Sequence, residues 1–345
     1  MAKKNSAGLE RQDAFIKSIE GQDFDFGLVM TQAFLKGIRD IGYKSTATAL
    51  FEDFDNSIQA GAENIHLLFD FDKGKSGKSN PDRIAIIDDG HGMSKEMIRI
   101  AVLWGGSDRL DDRQGMGKYG YGLPSSCVSI GQRYTVISKR EDMKDWYAVT
   151  IDIEEIAKHS PEYIDSKTGR VIAPEAKAAA IPEFVSKYLK EKKANQTSGT
   201  IIIIDKIDRL SKSSFGPLKK FLSQETGITY RNFLRSTNIF IEGELVEPID
   251  PLFITEGYRY YDENEILAEA LPSLEIKVPN SFDSTKIGTI RARYSYLPYG
   301  SISKSKNEDG EDIEEQDYDE KERLNKRGSV RKRNNGIIFL NYLNR

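Results

Sequence analysis

The chain reads as an α+β protein, and three observations carry that reading. Apolar residues recur at helical spacing over 29–41 and again over about 45–60. Strand-like runs come next at 65–71, 83–87, 134–138 and 146–151, the last two close enough to pair. Gly199-Thr-Ile-Ile-Ile-Ile204 is a continuous apolar run of the kind a strand buried on both faces shows. The 345 residues suit two ordinary domains, each large enough to bury a core.

The elements can be placed in order. Residues 1–30 are polar with scattered aromatics and read as an arm or a short helix. The first helix, 29–41, stops at Gly42, and the second starts at Ser45 or Thr46 as N-cap and ends before Gly61. Lys73 to Pro81 is a loop, 95–103 is helical, and 103–117 is irregular. After about Leu210 the pattern restarts. Residues 218–222 and 230–234 look helical, 238–241 and 245–246 flank Glu242-Gly243 as a hairpin, and 286–296 alternates as a strand. Residues 301–332 form a charged stretch, acidic and then basic, and 336–340 is a final strand. The expected organisation is an arm (1–30), a first domain (31–210) and a second domain (211–345).

Composition narrows the function classes. A formal charge of −4 gives no general drive toward nucleic acid, so such binding needs a local basic patch. The single cysteine, Cys127, excludes an intramolecular disulfide and suits a reducing compartment. No apolar run reaches the ~20 residues of a membrane span, and no secretory signal is visible, so no membrane association and a cytoplasmic location are expected.

Three segments carry chemistry: Glu52-Asp-Phe-Asp-Asn56, Asp88-Asp-Gly-His-Gly92 and Gly115-Met-Gly-Lys-Tyr-Gly-Tyr-Gly122. On the second helix, Leu50, Phe51, Phe54 and Ile58 share one face, and Glu52, Asn56 and Gln59 share the opposite one. A carboxylate and an amide thus stand one turn apart, whereas an isolated helix with such a face would be solvated surface. Asp88 comes directly after a buried strand. On its own Asp88-Asp-Gly would be a turn, yet alternate glycines let backbone approach a planar ligand, and a desolvated Asp accepts an exocyclic amino proton. The third segment spells G-x-G-x-x-G, with Glu141 at the distance of a dinucleotide fingerprint. That fold requires a buried strand before the first glycine, and Ser107-Asp-Arg-Leu-Asp-Asp-Arg-Gln114 cannot be one. What remains is a glycine-rich loop opening a helix at about 123–129, a geometry that suits phosphates.

Taken in order, these segments resemble the GHKL ATPase superfamily, the Bergerat fold of gyrase B, Hsp-ninety chaperones, MutL and MORC proteins. Its E-x-x-D-N-S helix matches Glu52, Asp55, Asn56 and Ser57. Its D-x-G-x-G box matches Asp88, Gly90 and Gly92, with Met93 next, and its lid matches Gly117, Tyr119, Gly120 and Gly122. Gly199-Thr200 is similar to its late Thr strand, whose Thr lies near adenine. The resemblance covers about 30–210, and prokaryotic MORC-like proteins match best. Residues 238–253 are similar to the start of an S5-like transducer domain.

The resemblance implies a sandwich with helices on one face of a mixed sheet, binding ATP and Mg2+. It casts Glu52 as general base, Asn56 as magnesium ligand and Asp88 as reader of the adenine amino group. Gly90, Gly92, Met93 and Thr200 would line the nucleotide, and Gly117, Lys118, Tyr119, Gly120, Tyr121 and Gly122 would form the lid. Two departures stand out: many MORC lids carry a lysine where this chain has Pro124, and the transducer's Lys or Arg would come from a loop beginning where the chain stops, at Asn341-Tyr-Leu-Asn-Arg345. A chain that is a fragment of a longer protein would account for the second.

ATP-dependent homodimerisation is implied, with residues 1–30 as the exchanged arm. The first functional reading is an ATP-gated clamp on DNA, to which Arg323-Leu-Asn-Lys-Arg327 and Arg331-Lys-Arg333 add weak support. A separate effector protein is a further expected partner. The alternatives are a protein-directed chaperone or signalling ATPase, and a nucleotide sensor with little turnover.

Overall fold

A computed structural model describes residues 31–72, 79–106, 120–194, 196–261, 268–279 and 287–296, together with the pairs 305–306 and 312–313. The arm 1–30, most of the charged stretch and the strand expected at 336–340 lie outside the described residues, as do Gly117, Lys118 and Tyr119 of the lid.

Eight strands form one mixed sheet. They are β1 (Asn64–Asp70), β2 (Arg83–Asp88), β3 (Gly131–Lys139), β4 (Tyr147–Asp152), β5 (Lys177–Ala178), β6 (Gly199–Ile207), β7 (Asn238–Ile241) and β8 (Glu244–Leu245). Their order is β5-β4-β3-β6-β2-β1-β7-β8, antiparallel throughout except that β7 runs parallel to β1. The central position of β6 explains its apolar sequence: Ile202 and Ile204 face one side, Ile201 and Ile203 the other, and all four are buried.

Most helices pack on one face. They are α1 (Thr31–Ile41), α2 (Thr46–Gln59), α3 (Lys95–Ala101), α4 (Gly122–Ile130), α5 (Ile153–Ala157) and α7 (Phe215–Thr229), and with the sheet they enclose the main core. The opposite face has a smaller core that one helix, α6 (Glu183–Glu191), covers through Val185 and Leu189. Sequence reasoning missed α6, because only two of its nine residues are buried and the surrounding stretch is interrupted by Pro174 and Pro182.

The structure moves two expected features. Residues 230–234 are not a helix. The chain leaves α7 at Tyr230, whose ring is buried against Phe51 and Phe54 and whose hydroxyl donates to Phe51 O at 2.9 Å and Asp55 Oδ1 at 2.7 Å. Nor does packing break at residue 210: Leu218, Leu222, Tyr230, Ile239 and Ile241 belong to the main core, and the 238–245 hairpin extends the sheet. Beyond that hairpin the packing thins. β9 (Glu269–Ala270) pairs with β12 (Ser295–Tyr296), and β10 (Leu274–Pro279) with β11 (Ile287–Ala292), mostly exposed. Among the described residues no helix is long and apolar enough to cross a membrane.

Candidate active site

Helix α2 is fixed at both ends by local chemistry. Ser45 is its N-cap: its hydroxyl accepts the Thr48 N–H at 3.2 Å, and Thr48 Oγ1 accepts the Ser45 N–H at 3.0 Å, a reciprocal capping box. It ends at Gly61, which adopts φ +74°. Between these ends, Leu50, Phe51 and Phe54 are buried, Glu52 and Gln59 are half-buried, and Asn56 is exposed. Glu52, Asn56 and Gln59 all line one cleft of about 460 Å³. The opposed faces expected from the sequence are present.

The floor of the cleft is the end of β2. Asp88 lies between β1 and β6, opposite Ile65 and Thr200, and is almost fully buried. Its Oδ1 accepts the N–H groups of Gly90 at 3.0 Å and Thr200 at 3.2 Å, and its Oδ2 accepts the Ser57 hydroxyl at 3.0 Å. Burial pushes its pKa up to about 6, against the lowering effect of those three hydrogen bonds. An ionised carboxylate has about four acceptor positions. Three are occupied, so one remains at Oδ2. The neighbouring Asp89 is structural: it accepts the N–H groups of Glu63 and Asn64 at 2.8 and 2.9 Å and so fixes the start of β1.

The glycines of this box are required by packing against the protein itself. A Cβ on Gly90 would lie 2.8 Å from Ala60 Cβ, and one on Gly92, at φ +67°, would lie 1.9 Å from the Lys139 carbonyl oxygen. The space beside both glycines is thus taken up by the protein's own atoms. Gly92 lines the cleft, but Gly90 does not. Met93 lines it beside Met97, Ala101 and Ile202, which supply an apolar wall. Ser138 ties this region together, accepting the Met93 N–H at 2.9 Å, donating to Gly199 O at 2.8 Å and lying 3.0 Å from Thr200 Oγ1.

Of the lid, Gly120, Tyr121 and Gly122 are described, and all three line the cleft. Gly120 adopts φ +64° beside Gly106, whose N–H donates to Leu103 O. Gly122 opens α4 so close to α2 that a Cβ there would lie 2.8 Å from Glu52 Oε2. Pro124 also lines the cleft, and no Lys or Arg does so among the described residues.

Among the contributors that escaped sequence reasoning are Tyr43, Met97 and Asp53. Tyr43 precedes α2, and burial followed by the charges of Glu52 and Asp53 pushes its phenol pKa up. Met97 sits in a short helix whose periodicity gives no functional signal. Asp53 was detectable. At about 100° per residue it borders the apolar arc of α2, where a carboxylate is unusual. It is fully buried, and its pKa is raised well above the carboxylate range, first by burial and then by Glu52. Asp55, in the matched motif, serves packing through Tyr230.

Comparison with known proteins agrees with this geometry. The family described as histidine kinase-, DNA gyrase B-, and HSP90-like ATPase matches residues 43–178, which span α2, the Asp88 box, the lid and the first strands of the sheet. MORC family CW-type zinc finger protein 1 of Homo sapiens is 34% identical over 96 residues, which cover 27% of this chain and 9% of that protein. The chain thus spans a small part of that relative. Residues 43–178 are thus similar to the GHKL-type ATPases and part of the chain to a MORC protein, and the mixed sheet with its helical layer is consistent with a Bergerat fold.

Proposed function

We propose that this cleft binds ATP with magnesium and hydrolyses it, and that the cycle drives ATP-gated dimerisation of a MORC- or MutL-like clamp acting on DNA. The observation that carries the catalytic part is the arrangement of two walls. Glu52 and Asn56 stand one turn apart at the cleft, and Asp88 lies at its floor with one acceptor position left.

The roles come from the chemistry of each group. The remaining Oδ2 acceptor of Asp88 takes a proton of the adenine amino group, which guanine lacks at that position, so ATP is preferred to GTP. Met93, Met97, Ala101 and Ile202 give the base an apolar surface. Glu52, the half-buried carboxylate nearest the lid helix, orients and deprotonates the attacking water. The side-chain oxygen of exposed Asn56 is a suitable ligand for Mg2+, a hard ion that takes its other ligands from phosphate and water. Bound there, magnesium would offset the phosphate charge in a cleft that already holds the Glu52 and Asp88 carboxylates. By the resemblance, the lid residues from Gly117 to Gly122, Lys118 among them, would offer amides and a cation to the phosphates.

The clamp reading extends this site by resemblance. The MORC likeness supports ATP-dependent pairing of two copies, the basic clusters 323–327 and 331–333 support DNA contact, and the sequence of 238–253 resembles the start of an S5-like transducer. The test is to measure ATP hydrolysis and oligomer size with and without Mg2+ and DNA, at two salt concentrations. Hydrolysis that needs Mg2+, a dimer that needs ATP and DNA retention that weakens with salt are the expected results. Salt-insensitive behaviour without DNA retention removes the clamp and leaves the ATPase.

A further inference from the structure

Asp53 has no role in the mechanism above, yet its surroundings are specific. It comes directly after Glu52 on α2, is fully buried, and lines the cleft. Its Oδ2 lies 3.0 Å from the hydroxyl of Ser126, which is also fully buried, on α4. The same hydroxyl lies 2.9 Å from the Leu123 carbonyl in the first turn of α4. Asp53 Oδ1 is buried with no hydrogen-bond partner among the described residues.

A proton count decides the state of this pair. Ser126 has one hydroxyl hydrogen and three acceptors near it: Asp53 Oδ2 and Leu123 O at 3.0 and 2.9 Å, and the more distant, weakly accepting Cys127 Sγ at 3.8 Å. If Asp53 were ionised, Ser126 could satisfy only one of them well, and Oδ1 would be a bare charged oxygen in the interior, a costly arrangement. If Asp53 carries a proton on Oδ2, it donates to Ser126 Oγ and Ser126 donates to Leu123 O. Both hydrogens are then used, and Oδ1 is only an unpaired neutral carbonyl. The groups acting electrostatically with Asp53 agree: Glu52 on α2, Tyr43 before it, Cys127 on α4, Tyr134 on β3 and Tyr230 after α7, none of them a cation. Burial accordingly raises the Asp53 pKa well above the usual range.

This link joins the two elements whose spacing matters most. Helix α2 carries Glu52, and α4 begins at the described end of the lid, where Gly122 closely approaches the Glu52 carboxylate. We propose that Asp53 is a positioning residue of this site: as a neutral carboxylic acid donating to Ser126, it latches the Glu52 helix to the helix on which the lid is anchored. The proposal rests on the reading of the cleft as an ATPase site.

The experiment compares Asp53→Leu, Asp53→Asn and Ser126→Ala in the full chain, with Glu52→Ala as reference. ATP affinity, kcat and thermal unfolding are measured for each. Leucine removes the donor without adding charge, so kcat is expected to fall about tenfold, with ATP affinity kept within about twofold and unfolding temperature not lowered. Asparagine is neutral and can donate to Ser126, so it should recover most of that loss. Ser126→Ala should match Asp53→Leu, and the double variant should be no worse than either alone. A purely structural Asp53 would change unfolding temperature rather than kcat and would show no rescue by asparagine. Asparagine as impaired as leucine, full activity of Asp53→Leu, or additive losses would each overturn the latch. Activity lost in Glu52→Ala but intact in Asp53→Leu overturns the latch alone. A wild-type protein that neither binds nor hydrolyses ATP overturns both the latch and the reading beneath it. Should Asp53→Leu fail to fold, the Asp53→Asn and Ser126→Ala pair decides by the same criteria.

Discussion

The two walls of the cleft are built on opposite plans. On the floor, Asp88 is nearly inaccessible, held by three donors from three different segments, and leaves one acceptor position for a ligand. On the helical wall, Glu52 is half-buried and Asn56 is exposed, held in place by the packing of the aromatics behind them. On the proposed function, the difference separates recognition from turnover. A group that reads a base gains from rigidity and desolvation, because a mismatched partner then leaves a buried acceptor unpaired. A group that handles water and a metal ion needs solvent access and a rigid backbone beneath it.

Mutation should divide the two walls cleanly. Glu52→Ala is expected to reduce kcat by about 10²–10⁴-fold while ATP affinity stays within a few-fold, as measured by steady-state hydrolysis and nucleotide titration. Normal hydrolysis by this variant would remove Glu52 as base. On the floor, Asp88→Asn should weaken ATP binding by roughly 10–100-fold, since it places an amide donor among three protein donors and loses a charge-assisted bond. Equal loss of GTP and ATP binding would show that Asp88 holds the fold of the cleft rather than reading the base.

Acidity sharpens the same contrast. The Asp88 pKa is raised from 3.8 to about 6 in the folded protein. Its protonated form therefore favours the folded state below about pH 4, and that contribution is lost as pH rises through about 6. ATP binding is expected to run the other way, because a proton on Asp88 takes the Oδ2 position left for the ligand and puts a donor there. Affinity should fall below about pH 6, approaching tenfold per pH unit, and Asp88→Asn should be flat there. The smallest expected effect lies behind the helical wall. Tyr230→Phe removes the hydroxyl bonded to Phe51 O and Asp55, and should lower stability by about 1 kcal/mol in denaturant unfolding, with ATP affinity unchanged.

Much of the site was legible in the sequence. The apolar stripe Leu50, Phe51, Phe54 required Glu52 and Asn56 to point away from the core, and the apolar run 83–87 required Asp88 to emerge at a strand end. Asp53 went unremarked in the sequence, because periodicity places a residue on a helix but does not supply its partner. Its partner, Ser126, is 73 residues away on another helix. The glycines of the Asp88 box were placed by the sequence, but their surroundings were not. A sequence shows that a Cβ is absent but not whether ligand or protein fills the space, and here Ala60 and Lys139 fill it.

The end of the first structural unit shows the same limit. The hairpin 238–245 was recognised from Glu242-Gly243, yet its assignment to a second domain rested on its position after a restart in pattern. Parallel pairing of β7 with β1 joins residues 238–241 to 64–67, a contact that local periodicity does not encode.

By itself, the sequence determined the periodicities, the caps and the residue types able to handle a nucleotide, because these depend on neighbours within a turn or a strand. Only the tertiary structure decided which of these groups meet. Asp88 gains its three donors, Asp53 its proton-sharing partner and Gly92 its necessity from chain segments far away in sequence. Burial, which sets the acidity of both aspartates, exists only once those segments have closed around them.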